Sequence, residues 1–447
     1  MSTSSLDRIL DLSLSGAAFR LSAIALALCS VVIPNALQIT NGALLVVTAG
    51  LGLFFVRLPR SAILPFLLYL ASALVTVVYM LVGSQNGAPR IALEQTTIVY
   101  ILSPLLWIVV CLGLVQSFEQ RVIVGWLAAL GILCCVTVAL YFFLFLNFGA
   151  ASVSFFKEAG NNVNVDDDGT TGATMHVYGS LIFLSGAFFS SPEIVRSKVV
   201  RILLLGSLFV AAITSGRSAL VVSVLLGLFL GWIPELRIAE RRAFFGARLM
   251  TNFVFVLVAT AFGVWVSKRF IDFDVWRIFE FVFEEVLSGG GQARTGQLEA
   301  LLDGVEKTSG LGAGHGIGVH YIRNFATPWR YELVWAATLY RVGIIGSFVY
   351  ALPFLVYLAR GFQRAFQGRL PVHEKFMLSG FVCAFFASNT NPYIEAFGFQ
   401  WMYVLPVISF FADSPSEQES ALDSDFERDS GDSTNSEPPR APALGSG

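Results

Sequence analysis

The chain has 447 residues, of which 55% are hydrophobic and only 13% charged, with a formal net charge of −2 and a mean hydropathy of +0.70. A water-soluble chain carries about a quarter charged residues, so lipid must solvate much of this one. The composition excludes an ordinary soluble enzyme, and no basic run interleaved with aromatics points to nucleic acid.

Residues 1–16 are mostly polar, and no small-residue cleavage site follows the first apolar run, so that run is expected to stay as an uncleaved helix. Crossing a bilayer takes about 20 apolar residues in a helix, and only helices or closed barrels satisfy the backbone there. The apolar runs are continuous rather than alternating, which selects helices. In chain order they predict spans over 17–34, 39–56, 62–82, 96–116, 122–148, 174–190, 199–213, 218–232, 249–267, 333–358, 376–388 and 397–412. The expected fold is an all-α polytopic integral membrane bundle of about 12 transmembrane helices.

Basic residues of the short loops, among them Arg57, Arg121, Arg201, Arg241 and Lys375, gather on one side. About sixteen stand there against three on the other side, Arg90, Lys157 and Arg217. This bias predicts cytoplasmic termini and makes 268–330, between helices 9 and 10, a large extracytoplasmic loop. Residues 1–412 then form the transmembrane bundle, loop included, and 413–447, rich in Ser, Asp, Glu and Pro, a disordered cytoplasmic tail.

The five cysteines (Cys29, Cys111, Cys134, Cys135 and Cys383) lie inside apolar runs without metal-ligand spacing and read as small core residues. The acidic stretch 164–169 begins like a calcium loop but reaches Met175 where an EF-hand needs Glu, so it reads as a solvated loop. Neither a metal nor a cofactor is expected. Within the large loop, 273–287 sets apolar residues on one helical face and acids on another, suiting either the membrane interface or a cap on the bundle. The run 310–318 (GLGAGHGIG) has no strand before it and no Lys-Ser/Thr after it, so it is no nucleotide loop. Its amides either hold phosphate oxygens or the run is a flexible turn.

Charges at membrane depth are costly and default to function. Arg217 occupies a very short turn between two apolar runs, and Arg341 lies about two turns into the tenth span. For Arg341 the competing readings are snorkelling to headgroups and a structural pairing with Glu332 or Glu395. Arg294 opens a predicted helix in the large loop. His176, His315 and His320 each suit acid–base work or a plain polar role in a loop, whereas His373 falls on the cytoplasmic side and reads as inert.

Three pieces occur in a telling order: ITSGRSAL at 213–220; Arg294 with QLEALL at 297–302 and GLGAG at 310–314; and LYRVGIIG at 339–346. Together they resemble the bacterial O-antigen ligase and Wzy-type O-antigen polymerase superfamily. The motifs cover about 214–346, and the rest of the chain is similar only in layout. The resemblance implies a metal-independent membrane glycosyltransferase at the outer face of the bacterial cytoplasmic membrane. Such an enzyme moves an undecaprenyl-diphosphate-linked glycan onto a glycan or lipid acceptor, surrounded by membrane lipids and served by polysaccharide-assembly proteins.

It further implies that Arg217, Arg294 and Arg341 bind the diphosphate and stabilise the charge that develops on it as it leaves. The acceptor hydroxyl would pass its proton to Glu332, with His320 as the second candidate. Glu332 stands where ligases of this superfamily carry a His at the loop's end, which favours a polysaccharide polymerase over an O-antigen ligase. A 12-span secondary transporter or a lipid-linked glycan flippase shares the layout. Its usual signatures are missing from the short loops 57–61 and 191–198.

Overall fold

The computed structural model describes residues 3–34, 38–153, 178–214, 218–232 and 291–412, and among these it is all-helical, without a strand. The helices are α1 (Thr3–Val32), α2 (Gln38–Gly52) and α3 (Ile63–Gln85), then α4 (Arg90–Ser117) and α5 (Gln120–Phe148). They continue as α6 (Tyr178–Ser190), α7 (Lys198–Thr214), α8 (Ser218–Trp232) and α9 (Gly291–Lys307). The last three are α10 (Val334–Phe366), α11 (Val372–Ala387) and α12 (Trp401–Ala412).

Each predicted span within the described residues coincides with a helix. Among the described residues four stretches are long and apolar enough to cross a membrane: Arg60–Gln85, Arg90–Ser117, Gln120–Tyr141 and Val334–Phe366. Shorter apolar helices run over Gly16–Val32, Gln38–Gly52, Gly179–Ser190, Ala219–Trp232 and Phe397–Ala412. The span expected at 249–267, the amphipathic stretch 273–287, the acidic run 164–169, His176, Arg217 and the tail 413–447 lie outside the described residues.

The core forms around α6, whose residues 179–190 are all buried. It packs against α8 and α11 through small residues. A Cβ on Gly227 would lie 2.6 Å from the Gly186 carbonyl oxygen, and one on Gly186 would overlap Cys383 Sγ. Lipid offers apolar side chains no reason to leave it, so close backbone approach through small residues is what holds such helices together. Four of the five cysteines are buried there and elsewhere, and all five are free.

Within the described residues, α4 and α10 each contain an irregular stretch. In α4, Thr97–Leu102 is π-helical, because Pro104 has no N–H to return to the Tyr100 carbonyl. The carbonyls of Val99 and Ile101 instead accept from Gln400 Nε2 (2.8 Å) and the Tyr69 hydroxyl (2.6 Å). In α10, Gly343 sits at φ +65°, ψ −174°, a region that only glycine occupies cheaply. Non-helical backbone inside a bundle has to find protein partners. For α10 those partners come from the glycine-rich loop.

Candidate functional site

The segment 308–318 wedges between α3 and α10. Ala313 N and Gly314 N donate to the Tyr340 and Arg341 carbonyls (2.8 and 2.9 Å), and Ile344 N donates back to Gly310 O (3.0 Å). The loop thus completes the hydrogen bonds that the break at Gly343 leaves open. On its other side His315 N donates to Tyr79 O (2.9 Å), Asn86 Nδ2 to Ala313 O (2.8 Å) and the Tyr79 hydroxyl to Leu311 O (2.7 Å). Gly314 (φ +97°) and Gly83 touch backbone to backbone, so a Cβ on either would overlap the other segment.

This corrects both readings of the glycine run. The amides of residues 310, 311, 313, 314 and 315 are bonded to protein carbonyls, so they form no phosphate cradle. Nor is the segment a loose turn, since it is the mortar between two helices. The glycines serve backbone-to-backbone packing.

The wedge carries His315 into a buried polar layer. Proton counting orients that layer. Thr76 Oγ1 donates its one hydrogen to Ser72 O (2.9 Å), so it must accept from the Tyr350 hydroxyl at 2.7 Å. Tyr350, its hydrogen used, then accepts from His315 Nε2 at 3.0 Å. Burial and the nearby Arg341 charge push the His315 pKa down to about 3, which agrees with a neutral ring protonated at Nε2. Beside it the Tyr100 ring stacks on Tyr350, centroids 5.7 Å apart.

Arg341 closes this layer. Its Nη1 donates to Glu395 Oε1 (2.5 Å) and to the Tyr100 hydroxyl (3.1 Å), and its Nη2 to Trp329 O (2.7 Å). Tyr100 in turn donates to Glu395 Oε1 at 2.5 Å. The guanidinium therefore binds α10, the π-helical part of α4, the end of the large loop and the α11–α12 connection into one knot. Of the two carboxylates named as structural partners, Glu395 is the one that Arg341 meets.

Below the knot lies a half-open cavity of about 550 Å³ between α3, α4, α10, α11 and α12. Its wall is mostly apolar, and Ser72, Thr76, Tyr100, Thr338, Ser347, Tyr350 and Gln400 are among its polar members. Gln400 is pinned by Ser103 Oγ, which donates to its Oε1 at 2.6 Å. An apolar pocket with a few convergent polar groups is the usual form of a ligand site.

A second charged cluster gathers around Glu332. Arg294 Nε donates to Glu332 Oε2 at 3.1 Å, and Arg323 Nη2 pairs with the other oxygen, Oε1. Gln297, one turn along α9 from Arg294, accepts from the backbone N–H groups of Glu332 and Leu333 (3.1 and 3.0 Å). The next residues, Val334 and Trp335, already line the cavity. Here, then, Arg294 and Glu332 come together as neighbours.

His320 is exposed, its Nδ1 3.9 Å from Asp303 Oδ2, and it is not part of the cluster around Glu332. Arg323 escaped the sequence reading because a lone loop arginine gives no periodic or motif signal. Tyr100 and Tyr350 look like ordinary span residues, although Pro104, four positions after Tyr100, hinted at a helix irregularity. Among the described residues no His/Cys/Asp/Glu group is arranged to hold a metal ion. No protein-family model matches the chain, nor does any curated protein or solved structure.

Proposed function

We propose that the protein is a membrane polysaccharide polymerase that transfers undecaprenyl-diphosphate-linked glycan units onto an acceptor glycan at the outer face of the bacterial cytoplasmic membrane. The observation that supports this reading is the charged cluster around Glu332, from which the chain runs on into the wall of an apolar cavity. Arg294, Arg323 and Glu332 form a charged headgroup region, and the cavity wall begins two residues after Glu332. A lipid diphosphate needs that pairing of chemistries, with phosphates at the rim and chain in the apolar cleft. The sidedness in this reading rests on the charge bias of the short loops.

In the transfer, the bond from the sugar's anomeric carbon to the phosphate oxygen breaks and its electron pair leaves with the diphosphate. The acceptor hydroxyl oxygen bonds to that carbon, and its proton passes to a base. Arginines fixed before the reaction stabilise the leaving charge, and Glu332 is the carboxylate in position to take the proton. Arg294 and Arg217 are assigned to the diphosphate. Arg341 bears on the same site through the knot that positions the loop's end.

Arg294→Ala and Arg217→Ala are expected to abolish glycan polymer on gels while the protein still inserts and accumulates. Normal polymer in both overturns the reading. A deletion strain separates the neighbouring activities: single-repeat products accompany loss of a polymerase, and carrier-bound polymer lacking its acceptor accompanies loss of an O-antigen ligase. Unchanged glycan with impaired solute movement accompanies loss of a transporter or flippase.

A further inference from the structure

Gln400 and Gln297 are both buried, 4% and 2% exposed, and their amides are spent differently. Gln400 is saturated: its Oε1 accepts from Ser103 Oγ, and its Nε2 donates to the Val99 and Ile394 carbonyls (2.8 and 3.1 Å). Gln297 is bonded through one half only. Its Oε1 accepts from Glu332 N and Leu333 N, and two donors meeting at one atom fix which end of the amide is the oxygen. Among the described residues nothing accepts from its Nε2, which has two hydrogens to give. That nitrogen is not one of the wholly enclosed atoms without a partner, so a ligand oxygen can reach it.

Glu332 has the complementary capacity. Each of its carboxylate oxygens accepts one bond, from Arg294 or from Arg323, and each keeps a lone pair. The two side chains also share one place. Glu332 reaches back to Arg294, one turn before Gln297 on α9, while Gln297 holds the Glu332 amide. A free donor beside an acceptor with lone pairs to spare suits a hydroxyl, which both accepts and donates. It does not suit an ionised phosphate, which brings the carboxylate no hydrogen.

We propose that Gln297 and Glu332 together seat the attacking hydroxyl of the acceptor glycan, Gln297 Nε2 donating to its oxygen and Glu332 accepting its hydrogen. The proposal rests on the polymerase reading and adds to it a residue that binds the acceptor. Gln297 engages one lone pair of the hydroxyl oxygen and leaves the other for attack, which fixes the direction of approach. As that oxygen bonds to the anomeric carbon, its proton passes to Glu332. The electron pair of the broken carbon–oxygen bond leaves with the diphosphate.

The test compares two variants of the full-length protein in cells, with glycan gels and unfolding temperatures read from the same membranes. Gln297→Glu keeps an oxygen for the two backbone amides and loses the donor, at the cost of an added charge. Gln297→Met is neutral and loses both oxygen and donor. The added charge explains a defect in the first alone, and the lost brace a defect in the second alone; the missing donor is common to both. Each is expected to shift glycan from polymer to single-repeat products by about tenfold, the worth of one hydrogen bond in the site. Gln297→Glu is expected to do so at an unchanged unfolding temperature. Normal polymer in either variant overturns the seat. A clear fall in the unfolding temperature of Gln297→Glu overturns it too, since the nitrogen would then have a partner within the protein.

Arg294→Ala and Arg217→Ala, run beside them, separate this claim from the reading beneath it. Polymer lost in both arginine variants and normal in Gln297→Glu removes the seat and leaves the polymerase. Normal polymer in all of them removes both.

Discussion

Two arginine–carboxylate centres stand a few residues apart in the chain and live under opposite conditions. In the knot, the side chains of Arg341 and Glu395 are 5% and 6% exposed. In the cluster around Glu332, the side chains of Arg294 and Glu332 are 18% and 21% exposed and that of Arg323 is 46% exposed. Water cannot replace a partner lost from the first, and it readily replaces one lost from the second. The same chemistry is therefore buried scaffold in one place and a part-exposed, water-accessible cluster in the other. The charge that most suggests function by its depth, Arg341, is the one most fully committed to holding protein together.

The contrast is testable from its strongest side downward. Glu395→Gln leaves Arg341 buried without its counter-charge and is expected to lower stability by about 3–5 kcal/mol, read as a lower unfolding temperature in detergent. If unfolding is unmoved, the knot is no scaffold. Gly83→Ala pits two effects against each other. Alanine favours the helix by about 1 kcal/mol, but its Cβ overlaps the His315 carbonyl oxygen, and moving the loop breaks hydrogen bonds worth about 1 kcal/mol each. Two of them, from His315 N and Asn86 Nδ2, lie at that contact, so the expected sign is a net loss. A gain in stability would mean that the wedge tolerates displacement.

Another effect concerns pH. The His315 pKa is depressed to about 3 in the folded protein, against about 6.5 in an unfolded chain. The folded state thus binds fewer protons than the unfolded state between those values. The contribution of His315 is whole above pH 6.5 and is lost as pH falls toward 3, by up to about 1.4 kcal/mol per unit. Unfolding midpoints of the protein and of His315→Gln between pH 5 and 8 check this, and the variant is expected to show the shallower slope. At the bottom of the scale, Arg90→Ala removes an exposed pair with Glu94 and is expected to change nothing measurable in the same assay.

The helices were legible in the sequence because length and continuous apolarity are local properties, and every predicted span within the described residues has its helix. The failure of 310–318 to read correctly has a physical reason. A run of glycines announces that something approaches the backbone closely, and the sequence does not say whether that is a phosphate or another backbone. Here it is the Gly83 turn of α3 and the broken α10. For Arg341 the need of a buried charge for a partner was legible, and Glu332 and Glu395 were both eligible. Only the fold chooses between them. Arg323 was invisible because its role depends on where an irregular loop returns, which no local pattern encodes.

The most direct test of the division between scaffold and site is Glu332→Gln, with glycan polymer and unfolding temperature read from the same membranes. The expected result is lost polymer at an unfolding temperature close to that of the unsubstituted protein, since a part-exposed pair contributes under about 1 kcal/mol. Normal polymer, or a fall in unfolding temperature as large as that of Glu395→Gln, would contradict it.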